Sequence, residues 1–202
     1  MHKLFFNIPH ASVIAIALCV AGSAQAWVLN ITPGIQAVYL AVGNATSNGA
    51  NATINLVNVT VSPAALATGA VQPMTSNSTQ ANSPLDNFTV CTPSAGQVYV
   101  GGFYRLPGAA ATTAVLQVTT PTGLTSGANV IPFNQISWTS TALGNAAADI
   151  PAGTFVSGGT LFLRNFAANT YVENCHTFRY ANTNVVAAGT YNGQATYTLT
   201  AP

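Results

Sequence analysis

Gly189-Thr-Tyr-Asn-Gly-Gln-Ala-Thr-Tyr-Thr-Leu-Thr-Ala-Pro202 is the stretch whose reading decides the fold. From Gln194 onward, Gln194, Thr196, Thr198 and Thr200 alternate with Ala195, Tyr197, Leu199 and Ala201. A period of two is that of a β-strand with one wet and one dry face. The apolar set must be buried by structure that the preceding chain builds. The stretch is therefore expected to be a closing strand, with Ala195, Tyr197 and Leu199 turned to the core.

Working outward, the preceding chain supplies candidate sheet partners. Ile35–Val42, Phe88–Cys91, Gln97–Arg105, Ala114–Thr119, Ile136–Thr139 and Thr160–Arg164 are short, rich in β-branched and aromatic residues, and bounded by Pro or Gly. Val28–Pro33 is expected to be a further strand. In Thr53–Val61 the alternation slips from Ile54 and Leu56 to Val57, Val59 and Val61, as at a bulge or in a strand covered on both faces. Ser62 can cap a helical turn that starts at Pro63. The polar stretch Thr68–Asn87 reads as a loop across one end of the fold. No window of a dozen residues has a helical period. Nine to eleven short strands with no internal repeat and no linker predict an all-β chain, a single immunoglobulin-like Greek-key β-sandwich.

At the other end, Lys3 precedes the apolar run Ala11–Gly22, and Ser23-Ala-Gln-Ala26 has the small-x-small pattern of a signal-peptidase site. Residues 1–26 are expected to be a cleaved signal peptide and residues 27–202 the sandwich domain. The run is short for a membrane anchor, and Leu18 before Cys19 does not suit a lipobox. No membrane insertion is expected after cleavage, which makes the product secreted, periplasmic or displayed at the outer surface.

Only 3% of the chain is charged, against about a quarter in typical soluble proteins. After cleavage, Arg105, Arg164 and Arg179 face Asp86, Asp149 and Glu173. A formally neutral chain has no basic patch for nucleic acid or anionic lipid. Cys91 and Cys175 remain, and export allows them to form a disulfide. Closing that loop is worth roughly 4 kcal/mol in the chain-entropy model. Free thiols or a metal site are the alternatives, but too few ligands lie nearby in sequence.

Little catalytic chemistry is visible. His176 beside an oxidised Cys175 has no thiolate partner, the carboxylates are widely spaced, and Gly101-Gly102 lies inside a strand, where glycine marks a bulge or the close approach of a backbone or ring. No catalytic residue, metal or cofactor is expected. Tyr99, Phe103, Tyr104 and Trp138 could stack a ligand, against the simpler reading as core and cross-strand pairs. Asn-x-Ser/Thr triplets at Asn30, Asn44, Asn51, Asn58, Asn77 and Asn87 are expected by chance in so Asn- and Thr-rich a chain.

The ending Val185–Pro202, with Ala188-Gly-Thr-Tyr191 before the alternating strand, resembles the C-terminal strand of bacterial pilin-like sandwiches, namely chaperone–usher fimbrial subunits and spore-coat-U-type proteins. Gly189 stands fourteen residues from the end, as a glycine commonly does in fimbrial subunits. The resemblance implies a pilin-like fold, strand pairing through Gly189, Ala195, Tyr197 and Leu199, and a periplasmic chaperone or like subunits as partners. The chain departs from fimbrial subunits in having Ala201 where they carry an aromatic residue, and no mature cysteine before Cys91. The expected function is a structural or adhesive subunit. The alternative is a free-standing glycan- or ligand-binding module.

Overall fold

A computed structural model describes residues 36–44, 55–92, 96–108, 111–142 and 147–202. They belong to one compact unit, Pro33–Pro202. The expected leader (1–26), Cys19 and the strand at Val28–Pro33 lie outside the described residues.

In chain order the elements are β1 (Ala37–Val42), β2 (Val57–Asn58), α1 (Pro63–Thr68), β3 (Gln72–Pro73), β4 (Thr75–Ser76), β5 (Gln97–Arg105), β6 (Thr113–Thr120), β7 (Gly123–Ser126) and β8 (Asn129–Pro132). A 3-10 turn at Phe133–Gln135 follows, then β9 (Ile136–Ser140), β10 (Gly153–Thr154), β11 (Gly159–Ala167), β12 (Thr170–Tyr180) and β13 (Thr196–Thr200). The chain is predominantly β, and among the described residues every strand pairing is antiparallel.

One sheet of six strands runs β1-β5-β12-β9-β10, with β3 also on β12; a second runs β11-β6-β13. Their inner faces share one core. Val98, Val100 and Tyr104 of β5, Trp138 of β9 and Val172 and Phe178 of β12 cluster with Ala114, Leu116 and Val118 of β6 and Leu163 and Phe166 of β11. At β11 the register against β6 shifts between Phe162 and Arg164. That irregularity changes the parity of the strand, so that Leu163 and then Phe166 both face inward while Phe162 stays exposed.

The helical turn forms as its sequence predicts: Ser62 Oγ accepts from Ala65 N, Pro63 opens the helix, and Gly69 closes it with φ 63°. Other expectations need correction. Of the expected strand Thr53–Val61, residues 53 and 54 lie outside the described residues, and the rest pairs only at Val57–Asn58, although Val57, Val59 and Val61 do pack against the core. Phe88–Cys91 makes only an isolated bridge, Thr89 to Asn82. The polar stretch Thr68–Asn87 contains β3 and β4, and its continuation lies on the outer face of the six-stranded sheet, where Pro84 and Leu85 adjoin Tyr39 and Phe103. The hairpin β7–β8 and the long strand β12 lie outside the strands that the sequence predicts. Gly127, with φ 57°, sits first in the two-residue turn of that hairpin, where a left-handed residue matches the strand twist.

Candidate functional site

The closing strand is received by β6, with Tyr197 opposite Val118 and Leu199 opposite Leu116. Its faces fall as the alternation requires. Ala195, Tyr197, Leu199 and Ala201 are half-buried against the core, whereas Thr196 and Thr200 are exposed and Thr198 is half-buried. Burial pushes the Tyr197 phenol above its ordinary pKa. A Cβ on Gly102 of β5 would lie 3.3 Å from Leu199 and 3.4 Å from Phe166, so the missing side chain is what lets the closing strand settle onto the other sheet. The Pro202 carbonyl accepts hydrogen bonds from Gln36 Nε2 and from Tyr104 Oη.

Gly189 is not part of that pairing. It lies outside β13, and a Cβ there would come within 2.6 Å of Ser126 Oγ on β7. The segment around it docks on the hairpin instead: Thr125 and Asn192 exchange backbone hydrogen bonds of 2.9 and 3.0 Å. Gly193 continues the contact, since a Cβ there would be 2.6 Å from Leu124 Cδ2.

The four aromatic residues considered for stacking are divided by the fold. Tyr104 and Trp138 are buried in the main core, and Trp138 Nε1 donates to Pro151 O at 3.0 Å. Tyr99 and Phe103 point to the opposite, outer face of β5, where Tyr99 is buried beside Ala41, Val90 and the cysteines. Only Phe103 keeps an accessible ring. Strand parity separates them, because consecutive residues Phe103 and Tyr104 must face opposite sides.

The outer face holds a different grouping. Phe103 is the cross-strand neighbour of Tyr39 on β1 and of Tyr171 on β12, which places three aromatic side chains in one row across three adjacent strands. The Tyr39 and Phe103 ring centroids are 6.0 Å apart. Beside the row is a shallow recess lined by Tyr39, Phe103, Pro84, Leu85, Ala41 and Tyr99, with the backbone of Gly101 and Gly102 beneath. Gly101 is obligatory there: a Cβ would strike Tyr99 Oη at 2.3 Å, so the tyrosine lies flat over the glycine and donates to Glu173 Oε2 at 2.7 Å. Burial and the Glu173 carboxylate push the Tyr99 phenol up. The neighbouring carboxylate is also held by tyrosine: Tyr171 Oη donates to Asp86 Oδ2 at 2.9 Å and Phe88 N to Asp86 Oδ1 at 3.0 Å. These hydrogen bonds, the Phe88 amide first, pull the Asp86 pKa below the ordinary carboxylate value, and the bond to Asp86 raises that of Tyr171.

Cys91 and Cys175 form the disulfide, Cα to Cα 5.3 Å, and so tie the loop that carries Asp86 to the outer face of β12. His176 lies on the other face of the same strand. It is fully buried, stacks on Trp138 at 5.6 Å, and neither ring nitrogen has a hydrogen-bond partner; burial lowers its pKa to about 3. A neutral imidazole packed among aromatic rings is core. Among the described residues, no three His, Cys, Asp or Glu side chains gather as a metal site, and no helix is long and apolar enough to cross a membrane.

Side chains in several of the Asn-x-Ser/Thr triplets are engaged within the fold. Asn44 Oδ1 accepts from Thr79 N and Gln80 N, and Asn77 Oδ1 from Leu56 N. Asn58 Oδ1 accepts from Thr75 Oγ1, and Asn87 Oδ1 from Asn82 Nδ2. Comparison with known proteins found no matching family model, no matching curated protein and no matching solved structure.

Proposed function

We propose that the chain is an exported, non-enzymatic β-sandwich that serves as a structural or adhesive subunit by pairing strands at its closing edge, with a periplasmic chaperone or a second copy as partner. The observation that carries this reading is the position of β13, which among the described residues pairs with β6 alone, at the edge of its sheet, and covers the core with half-buried side chains. An edge strand presents a row of backbone donors and acceptors to another chain, and extended segments bind by adding to such edges. Two facing sheets that share one core support the sandwich, and the disulfide suits an oxidising compartment. The near absence of charge offers nothing that would hold nucleic acid.

The test removes residues from Gly193 onward and adds the peptide Gln194–Pro202 in trans. The truncated chain should aggregate or be degraded, and the peptide should restore folded, disulfide-bonded protein in a stable complex. Unchanged thermal stability of the truncated chain, or failure of the peptide to join it, would refute the reading.

A further inference from the structure

We propose that the aromatic row Tyr39–Phe103–Tyr171, with Asp86 at its rim, is a binding site for a neutral oligosaccharide. The site is on the outer face of the six-stranded sheet, opposite the face on which Leu199 of β13 packs, and does not depend on strand pairing.

The platform has the dimensions of a short glycan. Two strand spacings of about 4.8 Å each separate Tyr39 from Tyr171, so the row can underlie consecutive sugar rings. Tyr171 is 41% exposed and Tyr39 and Phe103 are half-buried, so part of each side chain stays open to a ligand. Aromatic faces pack against the C–H face of a pyranose, and the hydroxyl rim of the same sugar needs polar partners beside the ring, the mixture typical of small-ligand sites.

Asp86 supplies such a partner in a fixed position. Its two oxygens are aimed by the Phe88 amide and the Tyr171 hydroxyl, and a carboxylate so held keeps unused lone pairs for further donors. The turn that carries it is rigid: Ser83 N donates to Phe88 O at 2.7 Å, Asn87 N to Ser83 O at 3.0 Å, Leu85 N to Ser83 Oγ at 3.2 Å, and Asn87 takes φ 62°. Ser83 is buried under it, and the disulfide at Cys91 anchors the following chain to β12. A loop tied down at this density presents Leu85 and Asp86 to the row already organised, which reduces the entropy lost on binding.

The charges select the ligand class. An anion would meet the Asp86 carboxylate at the rim, and Arg105, which shares the outer face of β5 two residues beyond Phe103, offers a guanidinium on the same face. A neutral polyhydroxylated ligand can use the carboxylate as acceptor and the guanidinium as donor. The recess is too shallow to enclose an acyl chain, being an open depression over Gly101 and Gly102.

Titration calorimetry of the purified exported chain with cellohexaose, chitohexaose and maltohexaose tests the site. At least one probe should bind with a Kd of roughly 1 mM or tighter. Tyr39→Ala and Tyr171→Ala should each weaken that binding about tenfold or more. Asp86→Asn, which keeps the shape but removes the charge, should weaken it roughly threefold to tenfold. Thr200→Ala on β13 should leave it unchanged, and circular dichroism with thermal melts confirms that each variant is folded. No heat from any probe at 10-fold above that Kd overturns the proposal, as does binding that survives both tyrosine substitutions. Sedimentation showing that the row joins two copies of the chain, with no sugar bound, also overturns it. None of these results bears on strand pairing at β13.

Discussion

Replacing His176 should flatten the acid dependence of stability between pH 7.5 and 5.0. In the folded chain the imidazole is buried among Trp138 and Phe178 with no acceptor or donor for either nitrogen, and its pKa falls from 6.5 to about 3. The unfolded chain therefore binds the proton first. Stability is fully present above pH 6.5 and falls as the pH drops from 6.5 toward 3, by about 1.4 kcal/mol per pH unit once well below 6.5. At pH 5.0 the loss comes to about 2 kcal/mol, a large share of the net stability of an ordinary domain. Urea titrations of the wild type and of His176→Phe at pH 7.5, 6.0 and 5.0 read this directly, since 2 kcal/mol corresponds to a midpoint shift of roughly 1 M. The altered packing of phenylalanine displaces the whole curve, but the pH-dependent difference between the two proteins depends on the histidine. Asp86, whose pKa is lowered, titrates below this window. If the two proteins lose stability in parallel as the pH falls, the imidazole is either hydrated or protonated in the fold, and the burial argument fails.

Other predictions follow from the same contacts. Leu199→Ala, which opens the contact over Gly102, should lower stability by about 1.5 to 3 kcal/mol in urea melts, against less than about 0.5 for Thr196→Ala or Thr200→Ala on the wet face. Equal losses would mean that the faces of β13 are reversed. Asn174→Ala should cost about 2 to 5 kcal/mol, because Asn174 Oδ1 accepts from Ile150 N at 2.6 Å and Nδ2 donates to Thr141 O at 2.7 Å in a buried site; a loss under 1 kcal/mol would show that water replaces the amide. Cys91→Ser with Cys175→Ser should lower the melting temperature sharply, since the bridge spans 84 residues of sequence, and should expose the Ser83–Phe88 turn to protease before the strands. Digestion that starts elsewhere would argue that the turn is held without the bridge.

The parts of the fold that the sequence displays openly are those in which one face is wet. β13 and β6 alternate because half of each strand meets solvent or the partly covered edge, and their residues can be sorted by eye. β12 is hidden for the opposite reason. It is central, with Val172, Asn174, His176 and Phe178 buried on one side and Glu173 and Cys175 buried on the other, so burial is continuous and no period survives. Its polar residues draw attention as chemistry, whereas Asn174 pins a loop and His176 fills the core. The aromatic row is missed for a related reason: Tyr39, Phe103 and Tyr171 are far apart in the chain and meet only through the register of β1, β5 and β12. Tyr104 and Trp138 could have been set aside from Phe103 by parity and by central position, but nothing in the chain order announces Tyr171.

Scarcity of charge links these observations. With so few ionised side chains, a carboxylate on the outer face has no lysine or arginine network to orient it, and tyrosine takes over that role at both Glu173 and Asp86. The two pairs differ in what surrounds them. Tyr99 and Glu173 are buried beneath the disulfide-anchored loop, where the hydrogen bond offsets the cost of removing a carboxylate from water and so serves the fold. Tyr171 and Asp86 form the same kind of contact at the exposed margin, where both groups could be solvated by water without penalty. A bond of that kind contributes little to stability. Its consequence is positional, for it fixes an acceptor beside an open aromatic ring, and that distinction is why the outer rim, and not the buried pair, is where a ligand is to be sought.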